Sequence, residues 1–120
     1  KTIEYSGAYR PMIMIRNKEI FEYKATKMSI GFKDVQNKVF EKTTLKFQEK
    51  DCFFMYSDGY PDQFGGPKNK KFKTRTLKEM LIEGSSKNMK SQKEIISQRF
   101  NEWMGDSEQV DDILIMGIKF

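Results

Sequence analysis

The sequence predicts an α+β domain built mainly on antiparallel strands. Short alternating segments between turn residues fill the first half, two segments with helical spacing follow, and an apolar strand ends the chain. At 120 residues this is one domain at most, so residues 1–120 are assigned to a single domain. The first strand lacks a start signal, which leads us to expect a piece of a longer protein.

Alternating or continuous apolar residues mark the strands, and turn residues bound them. Asn17-Lys18 separates two of the strands by two residues, which predicts a β-hairpin. Ala25–Phe32 is predicted to be irregular. Strands are predicted at Thr2–Tyr5, Pro11–Arg16, Glu19–Tyr23, within Lys38–Gln48, at Cys52–Tyr56 and at Ile113–Phe120. In Lys38–Gln48 the predicted inward face consists of Val39, Phe40, Thr43, Leu45 and Phe47.

The strand Cys52–Tyr56 is the predicted centre of the sheet. Its continuous apolar run stops at Ser57-Asp58-Gly59, a pattern typical of a strand buried on both faces. Asp58 is thereby placed at the end of a strand, where its carboxylate can face a site. Gly59 permits a sharp turn beside it.

The second half is predicted to hold a loop and two helices. Tyr60–Phe72 contains two prolines and two consecutive glycines, which indicates a long loop. Thr76-x-x-Glu79 and Ser91-x-x-Glu94 both match the capping-box pattern, so each is predicted to begin a helix. The first helix is predicted to end at Gly84 and the second at Gly105. Their buried faces are predicted to carry Leu77, Met80 and Leu81, and Ile95, Ile96, Phe100 and Trp103.

The composition excludes several classes of site. There is no histidine, which rules out Ser-His-Asp and Cys-His triads and histidine-ligated zinc. The single cysteine, Cys52, cannot form an internal disulfide, which favours the reducing cytoplasm. No apolar stretch is long enough to span a bilayer, so no membrane contact is expected from this segment. Any metal would need oxygen ligands, which suit Mg²⁺ or Mn²⁺.

Two acidic motifs each adjoin an apolar strand. Asp58 ends one strand, and Asp111-Asp112 precedes the last one. Converging carboxylates would form a cation site, but Asp-Gly and Asp-Asp are also common in ordinary turns. The residues alone leave both interpretations open.

These motifs carry a family resemblance. Phe54-Met55-Tyr56-Ser57-Asp58-Gly59, a loop containing Phe64-Gly65, a helix and Gln109-Val110-Asp111-Asp112-Ile113 resemble the C-terminal half of a bacterial metal-dependent protein phosphatase (PPM). The branch is that of the stage II sporulation protein E and the sigma-factor regulatory phosphatases. Tyr5-Ser6-Gly7-Ala8-Tyr9-Arg10-Pro11 is similar to the family's Asn-Ala-Gly-His-x-Pro segment, with Ala8 where many members have His.

The resemblance implies a β-sandwich of two antiparallel sheets flanked by helices, of which this chain is an incomplete C-terminal portion. It implies two Mn²⁺ or Mg²⁺ ions per complete site, with Asp58 and Asp111 as ligands of one ion and Gly59 and Asp112 adjoining them. A metal-activated water would hydrolyse phosphoserine or phosphothreonine, with no catalytic side chain of its own. The implied partner is a phosphoprotein of the anti-anti-sigma-factor type.

The chain departs from the family in one important respect. The remaining metal ligands of the family lie on an Asp-x-x-Gly-His-Gly type motif, and nothing in this sequence matches it. We therefore expect a half-site at most and an isolated segment that is inactive or nearly so. The alternative is a non-catalytic binding module with a phosphatase-like fold. Because half a sandwich would expose sheet edges and core faces, we also expect self-association.

A basic segment supplies the other candidate surface, at Lys68, Lys70, Lys71, Lys73 and Arg75. It accounts for much of the formal net charge of +5. Three interpretations are open: a solvated loop, a surface that docks a phosphoprotein, and a nucleic-acid contact assisted by Phe72. The last is the least favoured, since one short cluster matches no recognised nucleic-acid module.

Overall fold

A computed structural model describes residues 1–31 and 39–120. The strands are β1 (Thr2–Tyr5), β2 (Met12–Arg16), β3 (Glu19–Tyr23), β4 (Thr43–Lys46), β5 (Cys52–Tyr56), β6 (Phe64–Gly65), β7 (Lys70–Lys71) and β8 (Ile115–Lys119). The helices are α1 (Gly59–Asp62), α2 (Thr74–Gly84) and α3 (Met89–Met104).

The main sheet is antiparallel and has four strands in the order β3-β2-β5-β8, while β1 pairs with β4 and β6 with β7. The predicted α+β class is confirmed.

Strand β5 lies inside the sheet and separates two apolar cores. Cys52 and Phe54 pack toward α2 and α3, whereas Phe53 packs with residues of β1, β2 and β4. All three side chains are at most 3% exposed, so the predicted burial on both faces is confirmed. The domain therefore has a helical layer, the four-stranded sheet, and the β1–β4 pair on the opposite face.

The β2–β3 hairpin is also confirmed. Its turn residues Asn17 and Lys18 have φ values of 51° and 64°. Two consecutive residues with positive φ are the geometry that matches the twist of paired strands, and asparagine tolerates it well.

A buried ion pair holds the start of β5. The Asp51 side chain is 1% exposed and accepts hydrogen bonds from Arg16 Nε at 2.9 Å and Nη2 at 2.6 Å. It also accepts a bond from the Gln48 amide at 2.8 Å. The Arg16 hydrogen bond outweighs desolvation and lowers the pKa of Asp51.

Helices α2 and α3 both begin before the capping boxes that the sequence predicted. Helix α2 starts at Thr74, after Lys73 with φ 76°, and no side chain caps it. Helix α3 starts at Met89, and the Asn88 side chain accepts the bond from the Ser91 amide. The capping roles of Thr76 and Ser91 were therefore wrong. The predicted ends at Gly84 and Gly105 are borne out: α2 ends at Gly84, and Gly105 is the C-cap of α3.

The segment from Tyr60 to Phe72 is not the long irregular loop that its prolines and glycines predicted. It contains most of α1 and the short β6–β7 hairpin. Tyr60 and Phe72 are 1% and 7% exposed, and their rings stack edge-on at 5.1 Å. Phe72 also meets Trp103, which packs against the core as predicted. Two aromatic anchors thus fix the segment from both ends.

Two strand predictions need correction. Within Lys38–Gln48 only Thr43–Lys46 forms a strand, and Val39 is 82% exposed instead of facing inward. Two boundary residues of the predicted segments lie outside the described residues: Phe32, the end of the irregular segment Ala25–Phe32, and Lys38, the start of Lys38–Gln48. The last strand begins at Ile115 instead of Ile113, and the residues before it reach the end of β5.

Candidate metal centre

Asp58 lies where β5 ends and α1 begins. The buried strand stops at Tyr56, and the Asp58 carbonyl accepts the bond from the Asp62 amide that closes the one-turn helix. The Asp58 side chain is 44% exposed, in contrast to the buried strand before it. The structure therefore presents this carboxylate at the rim of the sheet, as its position in the sequence predicted.

The segment Asp111-Asp112 lies beside Asp58 because β8 runs antiparallel to β5. Tyr56 is paired with Ile115, so the residues before β8 meet the residues after β5. Ser57 joins the two: its hydroxyl donates to the Asp112 carbonyl at 2.8 Å and accepts from the Leu114 amide at 3.0 Å. The two acidic motifs thus meet at one edge of the sheet.

Gly59 allows this close approach. A Cβ atom at this position would lie 2.9 Å from the Asp112 carbonyl carbon, closer still to its oxygen, and 3.1 Å from Ile113 Cγ1. A real side chain would push the segments apart. Gly59 is therefore required for contact between the motifs, in addition to the turn that the sequence indicated.

The two acidic motifs differ in their surroundings. Asp111 Oδ1 accepts a hydrogen bond from the Asp112 amide at 2.8 Å, and both residues are exposed. Asp58 is paired with Arg10 from the β1–β2 loop. The Arg10 hydrogen bond is the main cause that lowers the pKa of Asp58, and the charge of Lys71 contributes. Asp58 is accordingly ionised at neutral pH.

These carboxylates are suited to a divalent cation but do not complete a site. Carboxylate oxygens are the ligands that Mg²⁺ and Mn²⁺ prefer. Within residues 1–31 and 39–120, no three side chains of His, Cys, Asp or Glu lie close enough together to hold a metal. The donor set therefore fits part of a metal centre, and the expected half-site stays a prediction.

Arg10 is the site residue that sequence reasoning did not single out. It lies 48 positions from Asp58, and no local pattern links the two. The only signal was its position inside the segment that resembled Asn-Ala-Gly-His-x-Pro. A cation next to a candidate metal ligand could have been suspected from that segment.

The basic segment lies partly within reach of this centre. All five predicted residues, Lys68, Lys70, Lys71, Lys73 and Arg75, are exposed. Lys71 pairs with Asp62 at 3.1 Å, and Arg75 pairs with Glu79 one helical turn away. Phe72 is buried, so it cannot stack on a nucleotide base. This removes the neighbouring aromatic side chain from the nucleic-acid alternative, whose phosphate contacts would come from the basic residues alone.

A cavity of about 660 Å³ lies between α3 and the β5–β8 pair. Its lining includes Phe54, Tyr60, Ile96, Phe100 and Ile113, and none of the described residues that line it is acidic. Tyr60 and Ile113 adjoin the two acidic motifs, so the cavity lies beside the acidic centre and the carboxylates do not line it. None of the helices described has the length and apolarity needed to cross a bilayer.

Solved phosphatase domains share this fold. The SiaA-PP2C domain of Pseudomonas aeruginosa superposes with a TM-score of 0.86 at 24% identity, over 99% of this chain and 46% of that chain. The SpoIIE PP2C phosphatase domain of Bacillus subtilis, solved with a fragment of its regulatory domain, gives 0.72 at 14% identity, over 99% of this chain and 34% of that one. A manganese-presoaked SpoIIE phosphatase domain gives 0.62 at 14% identity, over 99% and 56%.

The chain thus spans between a third and just over half of the structures it matches. No curated protein is similar enough in sequence to count as a match. The sequence model of the stage II sporulation protein E (SpoIIE) family matches residues 1–120, the whole chain. Together with the shared fold, this match shows that the chain belongs to the SpoIIE family.

Proposed function

We propose that this chain is the C-terminal part of a metal-dependent protein serine/threonine phosphatase domain. The observation that carries the proposal is the contact between Ser57-Asp58-Gly59 and Asp111-Asp112 at one sheet edge, in a chain of the SpoIIE family. The order and spacing of these motifs match those that the family resemblance implied.

In this proposal Asp58 and Asp111 hold one Mn²⁺ or Mg²⁺ ion. A bound divalent cation supplies charge neutralisation for a phosphate and lowers the pKa of a water molecule. Arg10 lowers the pKa of Asp58, and Ser57 fixes the Asp112 backbone beside it. Gly59 keeps the two segments in contact, so the protein's own contribution is to position these oxygen ligands.

The test is phosphatase activity in the parent protein that carries this chain. We expect Mn²⁺- or Mg²⁺-dependent hydrolysis of a phosphoserine peptide, and a loss of at least about 100-fold in Asp58→Asn and Asp111→Asn. The isolated 120-residue chain is expected to show little or no turnover, because its acidic centre is incomplete. Metal-dependent turnover by the isolated chain that disappears in Asp58→Ala would overturn the half-site proposal.

The substrate is proposed to be a signalling phosphoprotein of the anti-anti-sigma-factor type, docked by the basic segment. The support is that Lys71 pairs with Asp62 at 3.1 Å, and the Asp62 amide is hydrogen-bonded to the Asp58 carbonyl. Charge reversal in Lys68→Glu/Lys70→Glu should raise KM for the phosphoprotein and leave kcat nearly unchanged. Lys87→Glu/Lys90→Glu is the matched control, because Lys87 lies next to Lys119, at the far end of β8.

The second candidate, a non-catalytic binding module, is favoured by the incomplete metal centre and by the exposed edge strand. Strand β8 pairs only with β5 within the described sheet. Large apolar side chains of β8 and of the residues next to it are exposed: Leu114, Met116, Ile118 and Phe120. We propose that this edge also leads the isolated chain to self-associate. Absence of metal-dependent turnover in the parent protein would favour the binding module. A cytoplasmic location is part of the proposal, since Cys52 is a free buried thiol.

A further inference from the structure

The loop that carries Arg10 is built by specific contacts. The Tyr5 hydroxyl donates to the Arg10 carbonyl, and a side chain on Gly7 would collide with both groups. On the other side, the Tyr9 amide donates to the Thr26 carbonyl at 2.8 Å. These bonds hold residues 6–11 between two neighbouring segments, so the direction in which Arg10 leaves the loop is fixed.

The backbone of this loop is strained at the residue before Arg10. Tyr9 has φ 59°, a conformation that bulky residues rarely adopt, and its side chain is 58% exposed. Exposure of the ring means that burial of this side chain does not compensate the strain. Strained residues of this kind occur often at functional sites, where they fix the direction of a neighbouring side chain.

The Arg10–Asp58 ion pair stabilises the fold too little to explain why the loop is built in this way. The two side chains are 52% and 44% exposed, and ion pairs in water contribute little to folding. By contrast, the Arg16–Asp51 pair of the same sheet is buried on its acidic side. The loop therefore directs a guanidinium to a solvent-accessible carboxylate at the candidate metal centre.

Under the proposed function, a divalent cation at Asp58 competes with Arg10 for the carboxylate and repels the guanidinium, which weakens the pair. The freed guanidinium would remain at the edge of the centre, since the loop fixes its origin. Its planar set of N–H donors matches the oxygens of a phosphoryl group and binds them in a bidentate manner. Lys71 also contributes a positive charge near Asp58, but it is held by Asp62.

We propose that Arg10 binds the phosphoryl group of the substrate, and that it pairs with Asp58 only while no divalent cation is bound there. This proposal rests on the proposed function, because it assigns Asp58 to the metal and Arg10 to the phosphate. It makes Asp58 and phosphate competitors for the same guanidinium. That competition can be measured without any metal.

The experiment titrates inorganic phosphate into the ¹⁵N-labelled chain in metal-free buffer and follows by NMR the Arg10 Nε–Hε resonance together with the backbone amides of Tyr9 and Gly59, which remain observable in variants of Arg10 and Asp58. We expect Asp58→Asn to raise the phosphate affinity at Arg10 by about fivefold. An exposed ion pair weakens the binding of a competing anion by up to about this factor, and the variant removes that pair. Asp62→Asn is the matched control: it removes a carboxylate of similar exposure that pairs with Lys71. It should leave the response of Arg10 nearly unchanged.

Variants of Arg10 decide the outcome. Arg10→Gln/Asp58→Asn should lose the gain in phosphate affinity, and Arg10→Lys/Asp58→Asn should keep part of it, since lysine retains the charge without the bidentate fork. An equal gain in Asp58→Asn and Asp62→Asn, or phosphate binding that survives Arg10→Gln, would overturn the proposal. If Arg10 showed the gain in phosphate affinity but the parent protein had no metal-dependent hydrolysis, only the proposed phosphatase function would be refuted.

Discussion

Replacing Gly59 with alanine tests the contact between the two acidic motifs. The added Cβ would lie 2.9 Å from the Asp112 carbonyl carbon. Carbon atoms in contact lie about 3.5 Å apart, so the segments must separate by at least roughly 0.6 Å, and by more where the Asp112 carbonyl oxygen lies closer still. Overpacking of this kind costs about 1–3 kcal/mol, and we expect a net loss of about 2 kcal/mol in the free energy of unfolding.

For a domain of this size that loss corresponds to a fall in Tm of roughly 8 °C, which differential scanning calorimetry measures directly. Gly84→Ala is the matched control. Gly84 is the last residue of α2, and a Cβ there would meet only Gln92 Cγ at 3.8 Å. Helix propensity then favours alanine, so this variant should be neutral or more stable by up to about 1 kcal/mol.

The displacement should also impair metal binding in the parent protein. Ligand positions in a metal site tolerate about 0.2 Å, less than the shift that the added methyl group requires. If Gly59→Ala were as stable as the unmodified chain, or gained stability as Gly84→Ala is expected to, the close packing of these two segments would be refuted.

Three further predictions concern the same sheet. Ser57→Ala removes the hydroxyl that bonds the Asp112 carbonyl and should cost about 1 kcal/mol in urea unfolding, and an unchanged midpoint would contradict the role given to that hydroxyl. Asp51→Asn should cost about 2–3 kcal/mol at pH 7. Because the folded-state pKa of Asp51 is lowered, its stabilisation is present above about pH 4 and is lost as the pH falls through that pKa, whereas the variant should lack this part of the acid dependence. Met116→Lys and Ile118→Lys, on the exposed edge strand, should reduce self-association in light scattering, and an unmodified chain that is monomeric at all concentrations would be evidence against that interface.

The main strands could be predicted because their signals are local. Continuous apolar residues followed by Ser57-Asp58-Gly59 favour a short buried strand and its exit, and the Asn17-Lys18 turn fixes the β2–β3 register. The burial of Leu77 and Leu81 followed from helical spacing alone. In these cases neighbouring residues determine the structure, so the sequence is sufficient.

The errors arose where tertiary packing overrides a local motif. Thr76 matched a capping box, yet α2 begins earlier because Phe72 is anchored in the core and Lys73 turns the chain with a positive φ. Asn88 is a better-placed cap than Ser91. The loop from Tyr60 was misjudged because its aromatic residues outweigh its glycines. These outcomes depend on contacts between distant parts of the chain.

The candidate site was predicted only in part for the same reason. The positions of Asp58 after β5 and of Asp111 a few residues before β8 could be inferred, and the family resemblance supplied their proposed role. The pairing of Asp58 with Arg10 depends on the β1–β2 loop reaching the end of β5, across 48 positions. Nothing in the alternation of either strand indicates that approach.

The measurement that tests the central claim most directly is a titration of the ¹⁵N-labelled chain with Mn²⁺, followed by paramagnetic broadening. We predict that the amide resonances of Asp58, Gly59, Asp111 and Asp112 broaden first, and that the effect is lost in both Asp58→Ala and Asp111→Ala. Broadening centred on other acidic residues, or unchanged in either variant, would contradict a shared cation site formed by the two motifs.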